Sequence, residues 1–133
     1  MSQTYKLKLE SIFSESERVL DLVDQIDDDT DLDEELKAKM QLVLSEAVTN
    51  SIVHGNRENP EKSVTVIAEM SDNSIIFKVT DEGEGFDHSA KPDPTAEENL
   101  LKTGGRGIFI IEEIADKVEF EDRGRTVVIT FLL

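Results

Sequence analysis

A glutamate and an asparagine four positions apart, Glu46 and Asn50, interrupt the otherwise apolar stretch SEAVTNSIVHGN at residues 45–56. In a helix that spacing is about one turn, so both side chains stand on one face. A carboxylate so placed can take a proton from an attacking hydroxyl. A neutral amide oxygen one turn on can join the ligands of magnesium, an ion that keeps several waters and also binds phosphates. The plainer alternative is that Asn50 bonds to backbone near a helix end while Glu46 is solvated.

Two glycine-rich stretches extend the constellation. DEGEGF, residues 81–86, directly follows a strand pattern, and Gly83 and Gly85 allow close approaches that a side chain would block. GGRGI, residues 104–108, opens a helical pattern whose first N–H groups and positive end suit a phosphate. Singly, each could be only a turn or a cap. Together they assemble a nucleotide site: the Asp81 carboxylate accepts from an exocyclic amine such as that of adenine, and the glycines let a flat base lie against backbone. GGRG and its helix can meet the phosphates with backbone donors, Arg106 adds a planar fork of positive charge, Asn50 offers an oxygen to magnesium and Glu46 is placed to take a proton. His54 is expected to pack or cap the helix end, and His88 to face solvent.

The elements that must position these groups are legible from periodicity. TYKLKLE alternates as a half-buried strand. Ser14 and Glu17 form a capping-box pattern before Val19, Leu20, Val23 and Ile26, predicting a helix from about 14 to 26. Asp33 or a neighbour caps a second helix with Leu36, Met40, Val43 and Ala47 inward, ending near His54-Gly55, where glycine suits a helix stop. SVTVIAEM and SIIFKVTD make a hairpin through Ser71-Asp72-Asn73, GGRGIFIIEEIAD a third helix, and KVEFEDRGRTVVITFLL a second hairpin turning at Arg123-Gly124. This order predicts one domain over residues 1–133: a two-layer α/β sandwich, with helices on one face of a mixed, mostly antiparallel sheet.

Composition bounds the chemistry. With 133 residues the chain can bury a core without staples, and without cysteine it has no disulfide, thiol catalysis or Cys-type zinc site. It carries 30 acidic against 14 basic residues, a formal charge of −16, which argues against nucleic acid and membrane surfaces as partners. Residues 21–35 alone hold nine carboxylates and no lysine or arginine: a solvated helix end and loop, or a surface that repels partners. The start lacks a signal-peptide run and no apolar stretch is long enough to cross a bilayer, so a cytoplasmic location is expected.

ExxxN on a helix, then DxGxG, then GxG before another helix resembles the GHKL ATP-binding (Bergerat-type) fold of gyrase, Hsp90, MutL and histidine kinases. The run SEAVTNSIVHGN and the short length resemble its stand-alone branch of anti-sigma factors with serine-protein kinase activity, the SpoIIAB and RsbW kind, along nearly the whole chain. The resemblance implies ATP and magnesium as ligands, Glu46 as general base, Asn50 as magnesium ligand, Asp81 as adenine reader with Gly83 and Gly85 flanking the base, and Gly105, Arg106 and Gly107 at the phosphates. Thr126, in a GxT pattern with Gly124, matches the family's adenine-side threonine more loosely, and residues 86–103 would be the ATP lid. It also implies a homodimer that phosphorylates a serine or threonine on a STAS-domain antagonist in a partner switch, with a sigma factor as a further partner. The sequence departs from the wider family in having no phosphoacceptor-histidine hairpin and no transducer domain, so a complete histidine kinase is not expected. Two other readings stand beside the kinase: a non-catalytic regulator in which ATP gates a protein-binding surface, and an acidic interaction domain whose glycines are structural.

Overall fold

The structure, a computed structural model, describes residues 3–83 and 103–133, with side chains from residue 107 onward in the second stretch. Its five strands are β1 (Gln3–Glu10), β2 (Ser63–Met70), β3 (Ser74–Thr80), β4 (Lys117–Glu121) and β5 (Thr126–Leu132). They form one sheet in the order β1-β2-β3-β5-β4, and all four pairings are antiparallel. The expected sheet is therefore antiparallel throughout the described residues, with no parallel pair to make it mixed.

Period-two alternation decides which face is covered. Val64, Val66 and Ala68 of β2, Ile75, Phe77 and Val79 of β3, and Ile129 and Phe131 of β5 are buried beneath the helices. Phe77 and Phe131 meet edge to face, with centroids 6.1 Å apart, an arrangement worth about 0.5–1.5 kcal/mol beyond area burial. On the other face lie Lys6, Lys8, Lys78 and Lys117 with Glu10, Glu69, Glu119 and Glu121, a balanced set of charges. The negative excess sits on the helical side, where residues 11–50 carry twelve acidic and three basic side chains.

Among the described residues three α-helices cover the sheet: α1 (Arg18–Thr30), α2 (Glu34–Asn50) and α3 (Thr103–Ile114). The first differs from expectation. Residues Phe13–Glu17 form a 3-10 turn, the capping box at Ser14 is not made, and Ser16 Oγ donates instead to Phe13 O at 2.7 Å. At its far end α1 runs on to Thr30, because Asp27 Oδ1 accepts the Leu32 N–H at 2.8 Å and Lys37 bridges Asp24 and Asp27 at 2.9 and 3.0 Å. These contacts raise the Lys37 pKa, Asp24 contributing most, and tie α1 to α2. Leu22, not Leu20, completes the buried stripe with Val19, Val23 and Ile26.

The second helix starts as expected, with Asp33 Oδ2 accepting from the Glu35 and Leu36 N–H groups. It packs between α1 and α3 and buries Met40, Val43, Leu44, Ala47 and Val48. No helix among the described residues is long and apolar enough to cross a membrane.

Candidate functional site

Helix α2 delivers Glu46 and Asn50 in its last two turns, both half-buried. It then widens into a π turn, Ser51–Gly55, closed by the Asn56 N–H donating to Ser51 O at 2.8 Å. Single π turns of this kind occur frequently at functional sites, where they re-aim the backbone without ending the helix. The chain then reverses through Arg57 and Glu58, both at positive φ (53° and 56°), with the Glu58 N–H on Ile52 O. Gly55 itself does not stop the helix through a left-handed angle, as its place in the sequence suggested. It is needed for space: a Cβ there would overlap the Asp81 carboxylate, with Cγ 2.5 Å away.

Asp81 arrives at this point because the β3–β5 ladder runs in register to Thr80↔Thr126, and the Asp81 N–H then donates to Arg125 O at 2.9 Å. The residue is 8% exposed, its Oδ1 takes the Gly83 N–H at 2.8 Å, and Oδ2 lies against Gly55. Burial pushes its pKa up, while the Gly83 N–H and the charges of Arg125 and Lys62 oppose that rise. Gly83 is buried too, and a Cβ on it would run into the Gly55 carbonyl. Arg125 Nε donates to Gly83 O at 2.6 Å and its Nη1 meets Asp122 Oδ1 at 3.3 Å, holding the turn from the β5 side. Next to it, Glu82 accepts from both the backbone N–H and the hydroxyl of Ser63, bonds that pull its pKa down.

At the other end of the same helix stretch, Gly107 of α3 lies against Glu46. A Cβ on Gly107 would stand 3.2 Å from Glu46 Oε2. Glu46 of α2 is thus in contact with the GGRG motif, and Gly55, at the close of the π turn that continues α2, is in contact with the DxG motif. α2 is the common member of both.

Gly105 and Arg106 lie in the opening turns of α3, which begins at Thr103; their side-chain surroundings, and the predicted roles of Gly85, His88 and the lid over 86–103, fall outside the described residues except for the helical backbone at 103. Thr126 is buried, and its Oγ1 lies 2.9 Å from Thr80 Oγ1 across the β3–β5 pairing. His54 is exposed. No group of three or more His, Cys, Asp or Glu side chains suited to a metal exists among the described residues. Two residues of the site had no signal in spacing. Asn56, 1% exposed, and Arg125 both hold the turn after Asp81, the first through the Glu82 N–H and the second through Gly83 O, and contacts across the fold bring them there.

The described residues bring together a buried carboxylate, Asp81, and the backbones of Gly55 and Gly83 packed against it. A second carboxylate, Glu46, lies against Gly107 of α3. The Histidine kinase-like ATPase domain model matches residues 15–131, and the chain belongs to that family. It is similar to the anti-sigma F factor of Heyndrickxia coagulans, 38% identical over 87 residues, covering 62% of this chain and 58% of that protein. It is also similar to the serine-protein kinase RsbW of Staphylococcus epidermidis, 32% identical over 95 residues (65% and 60% covered). RsbW of Listeria innocua is 30% identical over 98 residues (68% and 62%). The chain spans about three-fifths of the length of these curated relatives.

Proposed function

We propose that the chain binds ATP with magnesium and transfers the terminal phosphoryl group to a serine or threonine of a STAS-domain antagonist, in a bacterial partner switch of the anti-sigma type. The observation that carries this reading is the contact of Glu46 with Gly107 on one stretch of helix and of Gly55 with Asp81 at its end. At about 1.5 Å per residue the two contacts lie roughly 13 Å apart along α2 and the π turn that continues it, a span of the order of an extended purine triphosphate. The names of the relatives, serine-protein kinase and anti-sigma F factor, support the same class of activity.

In this reading Asp81 accepts the adenine amino group, and Gly83 and Gly85 bound the ring. Gly105, Arg106 and Gly107 face the phosphates, and Thr126 lies on the adenine side. Magnesium, when bound, would neutralise phosphate charge and hold the terminal group, with Asn50 among its ligands. Glu46 takes the proton of the partner's hydroxyl as that oxygen bonds to the terminal phosphorus, and the bond to the bridging oxygen breaks to release ADP. Positioning and charge stabilisation supply most of the acceleration in such transfers, which suits a site with one base and few other side chains. The homodimer and the sigma-factor partner belong to the same proposal.

The test is incubation with terminally labelled ATP, magnesium and a STAS-domain protein from the same organism. Label on the partner that disappears in Glu46→Ala supports the kinase. ATP-dependent partner binding without label, unchanged in Glu46→Ala, would instead establish an ATP-gated binding module.

A further inference from the structure

Asn56 spends each polar atom of its side chain on a different segment. Nδ2 donates to Ser11 Oγ at 2.6 Å, just past β1, and to the Ser63 carbonyl at 2.9 Å, where β2 begins. Oδ1 accepts the Glu82 N–H at 2.8 Å. Its own N–H closes the π turn on Ser51 O. One amide therefore joins the end of α2 to the peptide unit between Asp81 and Glu82. A buried, fully bonded asparagine stabilises a fold wherever it stands. This one grips the backbone directly beside the carboxylate that faces Gly55, while Arg125 grips the next carbonyl but one at Gly83.

We infer that Asn56 is a positioning residue for purine selection, setting the Asp81 carboxylate where it accepts from the exocyclic amine of the base. The inference rests on the nucleotide reading given above. With the Glu82 N–H held, the plane of the Asp81–Glu82 peptide is fixed, and the short Asp81 side chain has little freedom left between Gly55 and the Gly83 N–H. Released from Asn56, that peptide can rotate, and the carboxylate moves relative to a base seated on the glycines. The loss should fall on the amine contact and not on ligand binding as a whole.

Calorimetric titration of the full chain with MgATP and with magnesium inosine triphosphate, which carries an oxygen in place of the amine, separates the two. Wild-type protein should prefer ATP. Asn56→Ala should lower ATP affinity about tenfold, the scale of one hydrogen bond to a charged group, and change inosine triphosphate less than about twofold. Ser11→Ala removes one acceptor of Nδ2 far from the base and should narrow the preference in the same direction by a smaller factor, which serves if Asn56→Ala does not fold. An unchanged preference in folded Asn56→Ala, or in Ser11→Ala where the first is unfolded, overturns the inference, as does an equal loss for both nucleotides. Wild-type protein that binds neither nucleotide refutes the nucleotide reading itself, and wild-type protein that binds both equally refutes the amine contact at Asp81; the role of Asn56 falls with either.

Discussion

Glu46 Oε2 lies 3.2 Å from the point where a Cβ on Gly107 would stand. The two residues come from separate helices, so their contact measures how closely α3 approaches the polar face of α2. A glycine there trades helix propensity for proximity.

Gly107→Ala should dissociate stability from activity. Alanine gains up to about 1 kcal/mol in a helix interior over glycine, and the flexible Glu46 carboxylate can yield a few tenths of an ångström. A thermal melt should therefore show no loss of stability, while labelled phosphoryl transfer falls about tenfold as the base is displaced. Transfer at the wild-type rate would mean that Glu46 is not the base.

Glu46→Gln keeps the side-chain shape and removes the proton acceptor. MgATP affinity should stay within about twofold and the transfer rate drop by about 10²–10⁴, measured by calorimetry and single-turnover labelling.

Gly55→Ala places a methyl group on the Asp81 carboxylate. The strain should cost about 1–3 kcal/mol in chemical denaturation and weaken ATP binding. In the double variant Gly55→Ala/Asp81→Gly stability should recover in part while ATP binding does not, since the clash is relieved but the reader is gone.

The sequence made the strands, the helix types and the two glycine motifs legible, because these follow from periodicity and from residues with few alternatives. Alternation placed β2 and β3, and Asp33 marked the start of α2. What stayed hidden depended on contacts across the fold. The capping pattern at Ser14 lost to a 3-10 turn, and α1 was prolonged by Lys37, a residue of the next helix. Gly55 looked like a helix stop, although its constraint is the approach of Asp81. Arg125, beside the threonine that the GxT pattern singled out, holds Gly83 through a register that spacing alone does not reveal.

Asp81 should make stability and nucleotide binding respond to pH in opposite senses. Its folded pKa lies above the ordinary value of 3.8, so the native state holds this proton more tightly than the unfolded chain. Its contribution to stability rises as pH falls from neutral through the raised pKa towards 3.8, and ATP affinity declines over the same window. Asp81→Asn, which removes the buried charge, should melt higher than wild type at neutral pH, with the gap closing on acidification and ATP recognition weak throughout. Melting curves and titrations across a pH series check both halves; a gap that widens on acidification would contradict the assignment.

The acidic helical layer should favour release of a phosphorylated partner. The product gains close to two negative charges, and repulsion acts within about 8 Å at physiological salt. Affinities of plain and phosphorylated partner, measured over a salt series, should converge as salt rises. A constant gap would point to steric exclusion.

The backbone contact between Gly55 and Gly83 carries an evolutionary corollary. Because a methyl group at Gly83 would meet the Gly55 carbonyl and one at Gly55 would meet the Asp81 carboxylate, a change at either glycine displaces the other segment. His-Gly at the close of the second helix and Asp-x-Gly after the third strand should be inherited, or lost, as one unit.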